Sequence, residues 1–238
     1  PVSSPVNIIN DLDGNSRNSS KPDIGADEFP GTSIDLVPPA IVFNPLKNTA
    51  GFGNRTLTAT IADASGVPTS GPGLPMLYWR VNGGSYTGVQ ATYVSGRTYT
   101  FSFGGGVAVN DVVEYFVVAQ DLSGTPIVGS NPWGGATGFT ASPPACSTPP
   151  TTPHVYTIVA GMGGLVTVGS GGNYPSLTGE GGLFADINAR LVTGNITASI
   201  ISDLTENGLH GLNEWMEEGG AFSLTIQPDG TTLRNITG

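Results

Sequence analysis

Apolar side chains alternate with mostly polar ones in three segments between residues 56 and 103, and a fourth inward-facing set follows at residues 113–119; this period of two limits most how the chain can fold. Successive side chains of a β-strand point to opposite faces, so the pattern predicts strands that each bury one face. Asn82 and Gly83 lie between two of these segments and favour a hairpin turn, because both positions of that turn need positive φ. The predicted inward-facing sets are Leu57, Ala59 and Ile61; Leu77, Trp79 and Val81; Tyr99, Phe101 and Phe103; and Val113, Tyr115, Val117 and Ala119.

Residues 34–142 have the length and strand spacing of an immunoglobulin-like β-sandwich, in which about seven short strands fill roughly 100 residues. The other strands are predicted near residues 41–43, 86–94 and 138–141. Trp79 resembles the core tryptophan of such sandwiches, and the segment that begins at Tyr115 resembles the sixth strand of a fibronectin type III or related domain. The chain has one cysteine, so no internal disulfide supports this core, and we expect Trp79 to anchor it.

The segments on either side of the predicted sandwich resemble parts of right-handed parallel β-helices. Residues 23–29, with the sequence DIGADEF, resemble a last rung, so residues 1–31 are interpreted as the C-terminal end of one β-helix. Residues 165–177, with the sequence LVTVGSGGNYPSL, resemble an opening. Residues 155–238 are therefore interpreted as the N-terminal cap and first rungs of a second β-helix.

Two further patterns complete this organisation. Leu183, Phe184, Ile187 and Leu191 have helical spacing and predict a short capping helix, and one rung is predicted to run from Ile200 to Ile226. Five prolines in residues 143–154 predict an extended, semi-rigid linker. The predicted fold class is all-β, with a central immunoglobulin-like β-sandwich flanked by the end of one right-handed parallel β-helix and the start of another.

The charge balance excludes one class of partner. Eight Lys and Arg residues against eighteen Asp and Glu residues give a net charge of −10, and the basic residues are scattered. Phosphate binding needs clustered cations, so we expect no nucleic acid as partner. No apolar run approaches the length of a membrane span, so we expect no membrane insertion. Cys146 is interpreted as an incidental exposed thiol, with an intermolecular bridge as the alternative. Because the chain opens at Pro1 without a signal peptide, we expect a fragment of a longer protein.

Asp11, Asp13 and Asn15 are the candidate metal ligands, since alternate carboxylate and amide oxygens suit calcium. The EF-hand pattern fails, because Ser16 and Pro22 stand where that loop needs Gly and Glu. The alternative is a polar turn without metal, in which Asp and Asn side chains bond to their own backbone. Calcium is the one cofactor that the sequence suggests.

Residues suited to catalysis do not form a recognisable set. His154 lies in the predicted linker and His210 in a glycine-flanked loop, and neither follows a nucleophile motif. The carboxylates of Glu214, Glu217 and Glu218 suit glycoside hydrolysis in principle, but their glycine-rich surroundings favour a solvated face. We therefore predict that this chain is not an enzyme.

The order of β-helix end, sandwich, linker and β-helix start resembles large modular adhesin-like surface proteins of type IX-secreting, gliding or biofilm-forming bacteria. The segments that carry this resemblance most specifically are residues 23–29, 168–177, 183–187 and 195–201. The resemblance implies an extracellular, cell-surface location and a role as adhesin stalk or structural filament module. Its partners would be neighbouring repeats, other copies, surface glycans or the secretion machinery.

A carbohydrate-binding or polysaccharide-processing β-helix protein is the alternative function, with an active site outside these residues. Aromatic side chains that stack on sugars would be its signature on this chain. Trp133 and Tyr93 are the candidate glycan contacts, and Tyr78 and Tyr86 are further exposed aromatic candidates.

Overall fold

The structure is a computed structural model that describes residues 9–20 and 35–238. The chain divides into two compact units, Pro1–Leu36 and Val37–Gly238. The predicted all-β class is confirmed, since the described residues form several sheets and little helix. In the first unit, Asn10 and Ser16 form an isolated antiparallel bridge. The rung predicted at residues 23–29 lies outside the described residues.

Residues 40–158 of the second unit, the antiparallel region, contain two main sheets and one added hairpin. The first sheet has the order β1-β2-β6-β5, and the second has the order β11-β7-β3-β4 with β8 beside β7. The strands are β1 (Ala40–Val42), β2 (Arg55–Ala62), β3 (Met76–Val81), β4 (Thr87–Gln90), β5 (Thr92–Ser95), β6 (Thr98–Phe103), β7 (Val112–Gln120), β8 (Val128–Asn131), β9 (Thr137–Thr140), β10 (Ala145–Thr148) and β11 (His154–Thr157).

The turn predicted at Asn82 and Gly83 is confirmed by their φ angles of 50° and 71°. The strand region predicted across residues 86–94 is two strands in different sheets. β4 pairs with β3 and β5 pairs with β6, so the chain changes sheets at Ala91, which is 5% exposed. This crossing joins the two sheets around one core.

Side chains from both main sheets form the first core cluster. The four predicted inward sets contribute to it, and Tyr99, Phe101, Phe103 and Tyr115 are each at most 2% exposed. Trp79 packs against this cluster but is itself only partly buried. The aromatic core is therefore as expected, whereas Trp79, its predicted anchor, lies at the edge of the cluster.

β7 is buried on both faces along most of its length. Its second face carries Phe116 and Val118, and the neighbouring β9–β10 hairpin, paired antiparallel, contributes to the cluster on that side. The other members of the cluster are Val128, Tyr78, Tyr86, Phe139 and Cys146. Cys146 is thus half-buried in an apolar layer and not exposed, which corrects the sequence-based expectation.

Strands occupy much of the segment predicted as a proline-rich linker, residues 143–154. β10 pairs with β9, and β11, which begins at His154, pairs antiparallel with β7. Tyr156 and Ile158 belong to the first core cluster and are at most 1% exposed. The antiparallel region therefore continues well beyond the predicted boundary at residue 142, as far as Ile158.

Residues 161–237, the parallel region, consist of stacked parallel strands and one short helix. Val166 of β12 pairs with Ala198 of β13, and Ala198 pairs in turn with Ile226 of β16. The rung predicted to run from Ile200 to Ile226 does not begin at the partner of Ile226, since Ile200 pairs with Pro228. The elements are β12 (Gly161–Val168), α1 (Leu183–Ala189), β13 (Leu191–Ile200), β14 (Leu204–Thr205), β15 (Met216–Glu217), β16 (Leu224–Pro228) and β17 (Ile236–Thr237).

α1 confirms the helix predicted from the spacing of apolar residues. Leu183 and Ile187 are fully buried on its inner face, whereas Leu191 already belongs to β13. The helix packs into a second core with Val168, Ile196 and Ala198 from the parallel strands. Among the residues that the structure describes, no helix has the length and apolar character needed to cross a membrane.

Candidate functional site

Thr49 connects the start of the antiparallel region with the backbone that leads out of it. Its N–H donates to the carbonyl of Thr157 at 3.2 Å, and its own carbonyl accepts the N–H of Val159 at 2.9 Å. These bonds form a parallel bridge between Thr49 and Ile158. Thr49 is 3% exposed, so water hardly competes with the bridge.

Glu218 makes a second connection, from the parallel region back to the same place. One of its carboxylate oxygens accepts the hydroxyl of Thr49, and the other accepts the N–H of Ala50 at 2.8 Å. Glu218 is positioned by β13, because its N–H donates to the carbonyl of Val192 at 3.0 Å. Hydrogen bonds to a charged group are typically worth about 1.5–3 kcal/mol.

Close packing completes this contact, which we call the junction (Thr49, Ala50, residues 158–161 and Glu218). A Cβ atom added at Gly161 would lie 3.1 Å from the Cβ of Ala50 and 3.2 Å from the hydroxyl of Thr193. Even an alanine at this position would therefore require its neighbours to move by a few tenths of an ångström. The junction joins the two regions by backbone, charged and packing contacts together.

The acidic residues 214, 217 and 218 do not act as a group. Glu214 is exposed, while Glu217 accepts the N–H of Phe222 at 3.0 Å and the indole N–H of Trp215 at 2.7 Å. These bonds, first that from Phe222, lower the pKa of Glu217. Glu214 is exposed to solvent, as the sequence predicted, whereas Glu218 belongs to the junction. Its partner Thr49 is distant in the chain, so local sequence carried no signal for it.

Inside the parallel region, the carboxylate of Glu206 accepts hydrogen bonds in the same way as that of Glu218 does at the junction. The carboxylate of Glu206 accepts the backbone N–H groups of Leu177 and Thr178 at 2.8 and 2.7 Å, as well as the hydroxyl of Thr178. Burial by itself would raise the pKa of Glu206, but the hydrogen bonds from Thr178 and Leu177 outweigh it and lower the pKa. The glycine-rich segment before α1 is thereby tied to the residue that follows β14.

We expect Glu206→Gln to lower the free energy of unfolding of the parallel region by about 1–3 kcal/mol at pH 7, because the amide group brings a donor toward the donors of Thr178. Since folding lowers this pKa, the stabilisation is present above the unfolded-state pKa and is lost as the pH falls through the folded-state value. The difference in the free energy of unfolding between the parent and Glu206→Gln should therefore become smaller below about pH 4.5. Urea unfolding across pH 3–7 measures it, and exposed Glu180→Gln is the control; a gap independent of pH would contradict the assignment.

A shallow cleft of about 610 Å³ lies beside α1 and is lined in part by Tyr174, Asp186 and Arg190. Asp186 accepts the hydroxyl of Tyr174 on one oxygen and the Nε–H of Arg190, at 2.7 Å, on the other. Burial, and then the hydrogen bond to Asp186, raise the pKa of Tyr174 to about 12. These three polar groups of the cleft are thus paired with one another.

The predicted calcium ligands lie in a polar turn. The two carboxylate oxygens of Asp11 accept the backbone N–H of Asn15 at 2.7 Å and its side-chain amide at 3.1 Å. Gly14 has a φ of 85°, as the alternative turn requires, and Asp13 is exposed. The structure brings Asp11 and Asn15 together as hydrogen-bond partners, and calcium binding there stays a prediction.

The two predicted glycan contacts lie on different elements. Trp133 follows β8, is 52% exposed and stacks on Phe139 with ring centroids 5.1 Å apart. Tyr93 belongs to β5 and its ring lies 5.4 Å from that of Tyr99, which leaves it partly buried. Trp133 therefore has the more open ring face of the two.

The other two aromatic candidates are largely covered. The rings of Tyr78 and Tyr86 lie 5.4 and 5.0 Å from the ring of Phe116, within the cluster on the second face of β7. The hydroxyl of Tyr78 donates to the carbonyl of Pro144 at 3.1 Å. These two tyrosines hold the β9–β10 hairpin against the sheet.

The histidine of β11 has a packing role. His154 packs against the rings of Phe43 and Tyr115, at centroid distances of 4.9 and 5.5 Å, and burial lowers its pKa. Burial also raises the pKa of the Cys146 thiol, which disfavours the reactive thiolate.

Comparison with protein-family models and with curated protein sequences finds no match to this chain. Its function therefore has to follow from its own geometry.

Proposed function

We propose that this chain is a non-enzymatic structural segment of a long extracellular surface protein, acting as part of an adhesin stalk or filament. The observation that supports this most is the junction, where Thr49, Ala50 and Glu218 fasten one region to the other. A stalk has to transmit orientation between successive modules, and a flexible linker would lose it. The backbone bonds on both sides of Thr49 add support, because they hold the segment at residues 157–159 that leads toward the parallel region.

The proposed architecture is an immunoglobulin-like β-sandwich followed by the start of a right-handed parallel β-helix. Two antiparallel sheets with a common core support the first part. Support for the second part comes from the ladder Gly164, Ile196, Leu224, in which β12 pairs in parallel with β13, and β13 with β16.

Its proposed partners are neighbouring rungs, from the same long chain or from another copy. Ile226 and Leu233 are 41% and 91% exposed and line a cavity of about 230 Å³ with Ile200, Ile236 and Arg234. Apolar side chains on parallel strands suit a further rung, because each repeat in a solenoid buries the face of its neighbour. Surface glycans and the secretion machinery stay secondary partner proposals.

Glu218→Ala in the full chain tests the junction. We expect hydrogen exchange at the Ala50 amide to accelerate by about tenfold to a hundredfold, since the charged acceptor of that N–H is lost. Small-angle scattering should show a broader distribution of interatomic distances as the two regions move independently. Glu214→Ala, an exposed neighbour, is the matched control. Unchanged exchange at Ala50 and unchanged scattering in Glu218→Ala would count against a rigid stalk.

A carbohydrate-binding role is the second candidate, and the open face of Trp133 favours it. A glycan array probed with the full chain separates the two functions. The structural proposal expects no glycan that is retained through Trp133, whereas binding that disappears in Trp133→Ala and persists in Tyr93→Ala would replace it. Labelling intact producing cells with an antibody against the purified chain tests the surface location, and signal only after lysis would contradict it.

A further inference from the structure

Two aspartates that are far apart in the sequence meet in the antiparallel region. Asp63 directly follows β2 and Asp121 directly follows β7, so each stands at the carboxyl end of a strand, one from each main sheet. Each offers a carboxylate oxygen, and these atoms lie within 4.8 Å of each other. Two like charges at this distance repel, and a cation between them would relieve that repulsion.

Asp121 is fully buried, and its two oxygens have different surroundings. Oδ1 accepts the backbone N–H of Ser123 at 3.2 Å, the hydroxyl of Ser123 at 2.9 Å and the N–H of Ile127 at 2.8 Å. Oδ2 is buried as well and has no hydrogen-bond partner among the residues that the structure describes. A buried carboxylate oxygen without a donor is costly, and a bound cation removes that cost.

The loops around the pair hold the two carboxylates in place. Asp63 accepts the N–H of Ser65 at 2.7 Å, and the carbonyl of Gly66 accepts the N–H of Leu122 at 3.1 Å, which ties one loop to the other. A cavity of about 230 Å³, lined in part by Asp63, Arg97 and Tyr99, leaves room for water molecules beside Asp63. The site is therefore fixed by bonds that do not use Asp121 Oδ2.

We propose that Asp63 and Asp121 bind a divalent cation, Ca²⁺, with Asp121 Oδ2 and a carboxylate oxygen of Asp63 as protein ligands. Carboxylate oxygens and water are the ligands that calcium prefers, and its flexible coordination tolerates a site completed by solvent. The hydrogen bonds to Asp121 Oδ1 orient the ligand oxygen, as outer partners do in metal sites. Its protein ligands are other residues than Asp11, Asp13 and Asn15, and it does not depend on the proposed stalk function.

The test uses the full chain, freed of metal with chelator and then titrated with CaCl₂. We expect calorimetric binding with a Kd of about 10⁻⁴–10⁻³ M, the range of extracellular calcium modules. At a hundredfold excess over Kd, the melting temperature should rise by about 5–10 °C. Terbium should replace calcium and gain luminescence through Tyr99, which lines the cavity beside Asp63.

Asp121→Asn is the decisive variant, because it keeps an oxygen for Ser123 and Ile127 and places an amide donor beside Asp63. Without metal, the melting temperature of Asp121→Asn should equal or exceed that of the metal-free parent. Calcium should no longer raise the melting temperature of this variant. Asp11→Ala combined with Asp13→Ala is the control and should retain the calcium response. If the parent neither binds calcium nor sensitises terbium, or if its response survives Asp121→Asn, the proposal is wrong. Loss of the response in the Asp11 and Asp13 control would also overturn it.

Discussion

Tyr115→Ala is expected to lower the free energy of unfolding of the antiparallel region by about 3–5 kcal/mol, a large share of the stability of a typical domain. Tyr115 is fully buried, and its ring centroid lies 5.2 Å from that of Phe103 and 6.1 Å from that of Tyr156. Its hydroxyl also accepts the N–H of Leu46 at 2.8 Å. Urea unfolding followed by tryptophan fluorescence measures the loss.

Two matched variants separate the contributions to this effect. Tyr115→Phe keeps the ring and removes the bond to Leu46, so it should cost only about 1 kcal/mol. Trp79→Ala should cost less than Tyr115→Ala, because Trp79 is partly exposed at the edge of the cluster. A larger loss for Trp79→Ala would restore the sequence-based prediction that Trp79 is the core anchor.

A chain that ends at residue 142 is expected to lose the cooperative fold of the antiparallel region, whereas one that comprises residues 37–160 should keep it. The shorter chain lacks β11, which pairs with β7, and also lacks the buried side chains of Tyr156 and Ile158. Burial of two such side chains is worth about 3–6 kcal/mol before the lost strand pairing is counted. The expected difference therefore approaches the whole stability of a domain of this size.

Circular dichroism melting and hydrogen exchange on both truncated chains measure this difference. The longer chain should unfold in one sharp transition, with slow exchange at Val113 and Tyr115, which pair with β11. A third chain, residues 37–160 with Tyr156→Ala, shows how much of the effect comes from that single side chain. Equal melting temperatures for the two truncated chains would show that β11 is dispensable and that the boundary at residue 142 was correct.

Local patterns in the sequence determined the identity of most elements. The period of two at Leu57, Ala59 and Ile61 predicts β2 correctly, because alternate side chains of a strand have to lie on one face. Asn82 and Gly83 predict their own turn, since both residues tolerate positive φ. The helix α1 likewise follows from residues only a few positions apart. Each of these outcomes depends on close neighbours in the chain.

Only the tertiary structure decided which elements share a sheet, a core or a site. The sheet change at Ala91 and the pairing of β11 with β7 depend on partners that the alternation does not specify, since any strand offers two edges. The second buried face of β7 exists because a hairpin from later in the chain covers it. Glu218 at the junction, and Asp63 beside Asp121, meet residues from distant parts of the chain. Their chemistry depends on distance in space, which the sequence pattern of this chain does not encode locally.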